Sequence, residues 1–140
     1  MSNKTMLATL ALGAAIAFAG PAFAEKMKAT LDSKAEVPPN ASAATGTADI
    51  DYDAASKKLS WKVTYSGLSG PATAAHFHGP AEAGKNAGVA VPIANIASSP
   101  AEGSATLTDA QAADLAAGKY YVNIHTAANP GGEIRGQVTK

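Results

Sequence analysis

The sequence predicts an all-β fold: an antiparallel Greek-key β-sandwich with one short helix near residues 109–117. Three observations carry that expectation. Apolar residues recur at every second position through most of the chain, the period of a half-buried strand. Gly, Pro and Asn gather at the breaks between these runs, where turns require them. One segment, 108–118, drops the alternation and carries helix signals instead. Seven or so short strands with regular turns and a single connecting helix suit two packed sheets.

Residues 1–24 come first and read as a secretory leader. Lys4 supplies the positive charge and Met6 to Ala19 an apolar run. Gly20-Pro21 breaks that run, and Ala22-Phe23-Ala24 is an A-x-A cleavage signature. The run falls short of the ~20 apolar residues of a membrane span. The expectation is a mature N-terminus at Glu25, one domain over 25–140 and a periplasmic or secreted location. No membrane span remains after cleavage. The intact mass of the exported form reads that expectation directly.

The strands follow in order. Lys26–Ser33 sets Met27, Ala29 and Leu31 on one face, and Val37-Pro38-Pro39-Asn40 then blocks regular pairing, since proline has no N–H to donate. Thr45–Asp53 and Lys58–Leu68 alternate cleanly and read as a hairpin, with Trp61 at the centre of the core. Ser69-Gly70-Pro71 turns into a strand over Thr73–His78, followed by a Gly/Pro/Asn-rich loop at 79–88. Val89–Ile93 contains Pro92 and reads as an edge strand. After a strand at Glu102–Leu107, Thr108 and Gln111 match a capping box, and Gly118 suits the left-handed residue that ends a helix. Lys119–Thr126, a turn through Asn129-Pro130-Gly131-Gly132, and Glu133–Thr139 complete the sheet.

Composition narrows the chemistry. The 140 residues hold 11 basic and 11 acidic side chains, and loss of the leader removes only Lys4, leaving a net charge of about −1. Such a chain lacks the basic patch that nucleic-acid binding needs to release counterions. With no cysteine, disulfide scaffolds, thiolate metal sites and thiol nucleophiles are excluded. No Gly-x-Ser-x-Gly elbow occurs, and no serine is tied to a histidine by a motif, so no catalytic residue is assigned.

The three histidines are the informative residues. His76 and His78 form an H-x-H pair within one strand, so both imidazoles share a face about 7 Å apart. His125 lies on the later strand, on the same face as Tyr121 and Asn123. If the fold sets these strands side by side, His76, His78 and His125 make an exposed three-histidine metal site with a fourth position open. Imidazole ligands suit copper, zinc, nickel or iron. The structural alternative is that the histidines bond to the adjoining loops. Asp49, Asp51 and Asp53 share a strand face but lack the glycine turn and chelating glutamate of a calcium loop, so they read as a solvated face. Glu133 and Arg135 share a face and read as a structural ion pair, bonded to strand ends or to the preceding loop.

Two long blocks carry a resemblance. They are Ala75-His76-Phe77-His78-Gly79-Pro80 with Gly88-Val89-Ala90-Val91-Pro92-Ile93, and Gly118–Thr126 with Pro130–Gln137. Their order resembles the CHRD domain, the repeated module of chordin that also occurs as single secreted bacterial proteins. The resemblance spans residues 26–139 and implies an immunoglobulin-like or Cu/Zn-superoxide-dismutase-like sandwich. His76, His78, Asn123, His125 and Thr126 match the family's motifs. The histidine pattern is also similar to the copper half of Cu/Zn superoxide dismutase. The chain departs from that enzyme in lacking a cysteine pair, a bridging fourth histidine and a zinc cluster. Copper, with zinc as the other candidate, is therefore the expected cofactor of His76, His78 and His125, and the protein partner is left open. Three readings stand: an exported metal-binding protein, a non-enzymatic interaction module recognising partners through loop 79–88, and, as the least favoured, a copper-dependent redox enzyme.

Overall fold

The computed structural model describes Gly13 and residues 24–140; the segment read as a leader lies outside the described residues, Gly13 and Ala24 apart. The elements are β1 (Glu25–Asp32), β2 (Thr45–Asp53), β3 (Lys58–Ser66), β4 (Ala72–His78), β5 (Val89–Pro92) and β6 (Ala101–Thr106). After these come α1 (Asp109–Ala116), β7 (Tyr121–Thr126) and β8 (Ile134–Gln137). Among the described residues the strands form one antiparallel sheet in the order β5-β4-β7-β8-β1-β2-β3-β6. No described helix is long and apolar enough to cross a membrane.

The alternation does what it predicts. In β2 and β3, Ala48, Ile50 and Tyr52 face Leu59, Trp61 and Val63 across a hairpin that runs in unbroken register from Thr45↔Ser66 to Asp53↔Lys58. The Asp53 carboxylate accepts the N–H groups of Ala55 and Ser56 and so closes the turn. Pro92 sits in β5, which is an edge strand as its missing donor requires. In α1 the Thr108 hydroxyl accepts from Gln111 N at 3.2 Å and the Gln111 side chain accepts from Thr108 N at 2.9 Å. Gly118 takes φ +74° beyond the last turn, and Lys119 N bonds back to Asp114 O, ending the helix where the sequence places the stop.

The sheet folds over along the β8–β1 seam, where ladder pairing thins to Asp32↔Arg135 and an isolated bridge, Lys28↔Thr139. Both halves thereby contribute to one core. Leu31, Ile50, Leu59 and Val63 come from β1–β3, and Phe77, Val122, Ile124 and Ile134 from β4, β7 and β8. Trp61 meets Phe77 edge-on at 5.2 Å between ring centroids, joining the halves. With β7 beside β4 and β8 returning to β1, the connections give the expected Greek-key sandwich.

Candidate metal centre

Strand pairing brings the histidines together. β4 and β7 pair antiparallel with His76 opposite Asn123 and His78 opposite Tyr121, while Arg135 of β8 stands opposite Asn123 on the far side. Residues directly opposite share a face. On this half of the sheet Ala75, Phe77, Val122, Ile124 and Ile134 point into the core. The alternate positions His76, His78, Tyr121, Asn123, His125 and Arg135 therefore form the other face. The ligand nitrogens of His76, His78 and His125 lie within 4.8 Å of one another, and the trio could hold a metal ion.

The face is less open than the sequence suggests. Loops 33–40 and 79–88 fold over it, and His78 is only 8% exposed, Asn123 3% and Arg135 2%. His76 and His125 are half-buried. The expected exposed site is thus a half-covered one, because loop 79–88 is fastened to polar groups of the face beneath and loop 33–40 is fastened to loop 79–88. Asn86 Nδ2 donates to Val37 O, and Tyr121 Oη meets the backbone of Ala87 at 3.1 and 3.2 Å.

Hydrogen bonding fixes which nitrogens are free. His78 Nδ1 lies 2.9 Å from Ala87 O and His125 Nδ1 lies 2.9 Å from Pro130 O. A carbonyl oxygen only accepts, so both Nδ1 atoms carry the proton and both Nε2 lone pairs are left for other use. Orientation of a ligating imidazole by a carbonyl on its other nitrogen is the usual support of a metal site. His76 Nδ1 is 3.1 Å from His125 Nε2. Two nitrogens at that spacing, each ~2.05 Å from one ion, subtend about 98°. Nitrogens up to 4.8 Å apart would have to draw together to share one ion. His76, whose ring has no carbonyl anchor among these contacts, is the side chain placed to move. The donor set fits a transition-metal ion.

The electrostatics favour neutral ligands. Burial holds His78 below the usual histidine range, against the hydrogen bonds to Ala87 and Asn123 that raise it. Burial likewise lowers His76, and the neighbouring charges of His125 and His78 push in the same direction. Neutral imidazole is the form that binds metal. His78 also stacks on Tyr121, with centroids 4.8 Å apart and planes within 5°. The Arg135 guanidinium covers the other side of that tyrosine ring at 3.4 Å.

Other side chains settle differently from expectation. Glu133 and Arg135 do not pair with each other. Glu133 accepts from Ser69 N, from Asn129 Nδ2 at 2.9 Å and from the Thr126 hydroxyl. Arg135 donates to Asn86 Oδ1 at 2.8 Å and to Lys85 O. Glu133 stands in the bend just before β8 and Arg135 within the strand, and different loops reach each of them first. Asp51 pairs with Lys26 at 3.2 Å and Asp53 caps its turn, consistent with a solvated acidic face. Glu36 is the residue that no sequence signal marked. It is 4% exposed, its Oε1 has no hydrogen-bond partner, and burial raises its pKa to about 7 against the lowering effects of Arg135, the Val37 N–H and Asn123. Gly132 makes room for it: with φ +128°, a Cβ there would collide with the Glu36 carboxyl and come within 2.9 Å of Asn123 Nδ2.

No curated protein and no solved structure matches the chain. A family model described as the CHRD domain matches residues 27–138, nearly all of the described fold and every residue of the histidine face. The chain belongs to the CHRD-domain family.

Proposed function

We propose that this is an exported CHRD-domain protein that binds a transition-metal ion, copper in the first place, through His76, His78 and His125. One observation carries the reading. Three imidazoles from paired strands converge within 4.8 Å, and two of them are pre-oriented by backbone carbonyls on the nitrogen facing away. The all-imidazole set suits copper or zinc, and divalent copper heads the affinity order of the first-row ions.

Isothermal titration of the metal-free mature chain with Cu(II), Cu(I) and Zn(II) tests this. One equivalent of Cu(II) should bind most tightly, and His125→Ala should lower its affinity by about tenfold or more, the scale on which even supporting residues act. Unchanged affinity in that variant would rule out a three-histidine site.

One contact set supports a second reading, the interaction module. Both nitrogens of His78 lie 2.9 Å from protein oxygens, Ala87 O and Asn123 Oδ1, so an imidazole carrying both protons, or an Asn123 amide turned over to donate, would serve the fold without an ion. Loop 79–88, exposed along 82–86, would then carry recognition. Capture of a partner that depends on this loop and is indifferent to metal would favour it.

A further inference from the structure

We propose that Asn123 supplies the fourth donor of the centre, through its amide oxygen, and that Glu36 sets the direction of that amide. The inference rests on the metal-binding reading above and deepens it. His78 Nδ1 is committed to Ala87 O, so Nε2 is the only nitrogen His78 can give to an ion. That nitrogen lies 2.9 Å from Asn123 Oδ1. In a neutral imidazole two lone pairs then face each other with no proton between them, an arrangement that a cation resolves. The spacing is right for one: atoms ~2.0–2.2 Å from a shared ion and 2.9 Å apart subtend about 90°. The His76–His125 pair, at 3.1 Å, has nearly the same bite. Two donor pairs, one N–N and one N–O, thus have the bite of neighbouring positions in the tetragonal N,O set that Cu(II) takes, and the amide oxygen is a harder donor than Cu(I) prefers.

The amide has a reason to face this way. Asn123 Nδ2 lies on the side of Gly132 and the Glu36 carboxyl, whose buried Oε1 has no hydrogen-bond partner. Turning the amide over would give His78 a donor but would take the amide N–H away from the Glu36 carboxyl. Asn123 is 3% exposed, so its amide depends on the groups packed around it.

The test uses the mature chain, with Cu(II) and Cu(I) affinities measured separately and the Cu(II) electron paramagnetic resonance spectrum recorded. Asn123→Leu should weaken Cu(II) binding about tenfold, leave Cu(I) binding within about twofold and shift the Cu(II) spectrum toward a three-nitrogen pattern. Asn123→Asp, which keeps an oxygen in place and adds a charge, should retain the wild-type type of spectrum and bind Cu(II) at least as tightly. Glu36→Gln should move the Cu(II) spectrum partway toward that of Asn123→Leu. An unchanged Cu(II) spectrum in a folded Asn123→Leu protein overturns the proposal and leaves the amide as a hydrogen-bond partner of His78. If Asn123→Leu does not fold, the Asp variant decides: a wild-type affinity and spectrum support oxygen ligation, whereas loss of Cu(II) binding overturns it. Failure of the wild-type chain to bind one equivalent of metal would instead overturn the metal reading itself.

Discussion

At the scale of single residues, the polar face is a set of groups whose charge states depend on one another's burial. Glu36 has a folded-state pKa of about 7 against an ordinary value of 4.5. Between those values the folded protein keeps a proton that the unfolded chain has released. Its contribution to stability is therefore complete below pH 4.5 and lost as the pH rises through 7. The full loss is at most ~3 kcal/mol. His76 and His78 act in the opposite sense: their lowered values give stability that is present above the ordinary histidine pKa of 6.5 and is lost as the pH falls below it. Glu36→Gln removes the first effect and keeps the second. Thermal melting of the metal-free protein should show the two chains matched near pH 4 and the Gln variant increasingly more stable toward pH 8. Parallel curves across that range would show that Glu36 does not ionise with such a penalty. None of this was legible in the sequence. His76, His78 and His125 stand out through residue type and period, but Glu36 lies in an irregular loop and becomes important only where that loop lands on Asn123 and Arg135.

At the scale of elements, legibility follows how local the determining interactions are. The β2–β3 hairpin and α1 are written in contiguous residues, by alternation in one and by caps at both ends in the other, and both stand where the sequence puts them. The pairing of β4 with β7 is also within reach of the pattern, since only an adjacent placement lets the histidines share a face. The covering of that face by loops 33–40 and 79–88 depends on side-chain bonds between distant segments, and the alternation says nothing about those. The expected Glu133–Arg135 pair fails for the same reason. The helix offers a clean check of the local rule. The Thr108 hydroxyl is half of a reciprocal cap, so Thr108→Ala leaves the Gln111 N–H without its partner and should cost about 1 kcal/mol. Because helix and histidine face are built from different residues, the shift in denaturant midpoint should come with unchanged metal affinity. A loss of affinity in this variant would mean that α1 helps to hold the site.

At the scale of the whole molecule, the sheet separates folding from binding. One surface of β4, β7 and β8 closes the hydrophobic core with Phe77, Val122, Ile124 and Ile134, and the opposite surface carries the histidines. The apolar seam through Trp61 and Phe77 joins both halves without help from the polar face. Small domains whose cores cannot hold them together unfold when their metal is removed; this chain has a continuous core drawn from its strands, its helix and loop residues such as Ile93 and Ile96, and should not. The chelated protein is expected to keep its strand-type circular dichroism and to melt cooperatively. Adding Cu(II) to a free concentration of 100 times its dissociation constant should then raise stability by about 2.7 kcal/mol, through binding to the native state alone. A His78→Gln protein, with its Nε2 ligand removed, should show a much smaller rise. Unfolding on chelation would make the ion part of the fold, and an equal rise in the variant would place the ion elsewhere than on this face.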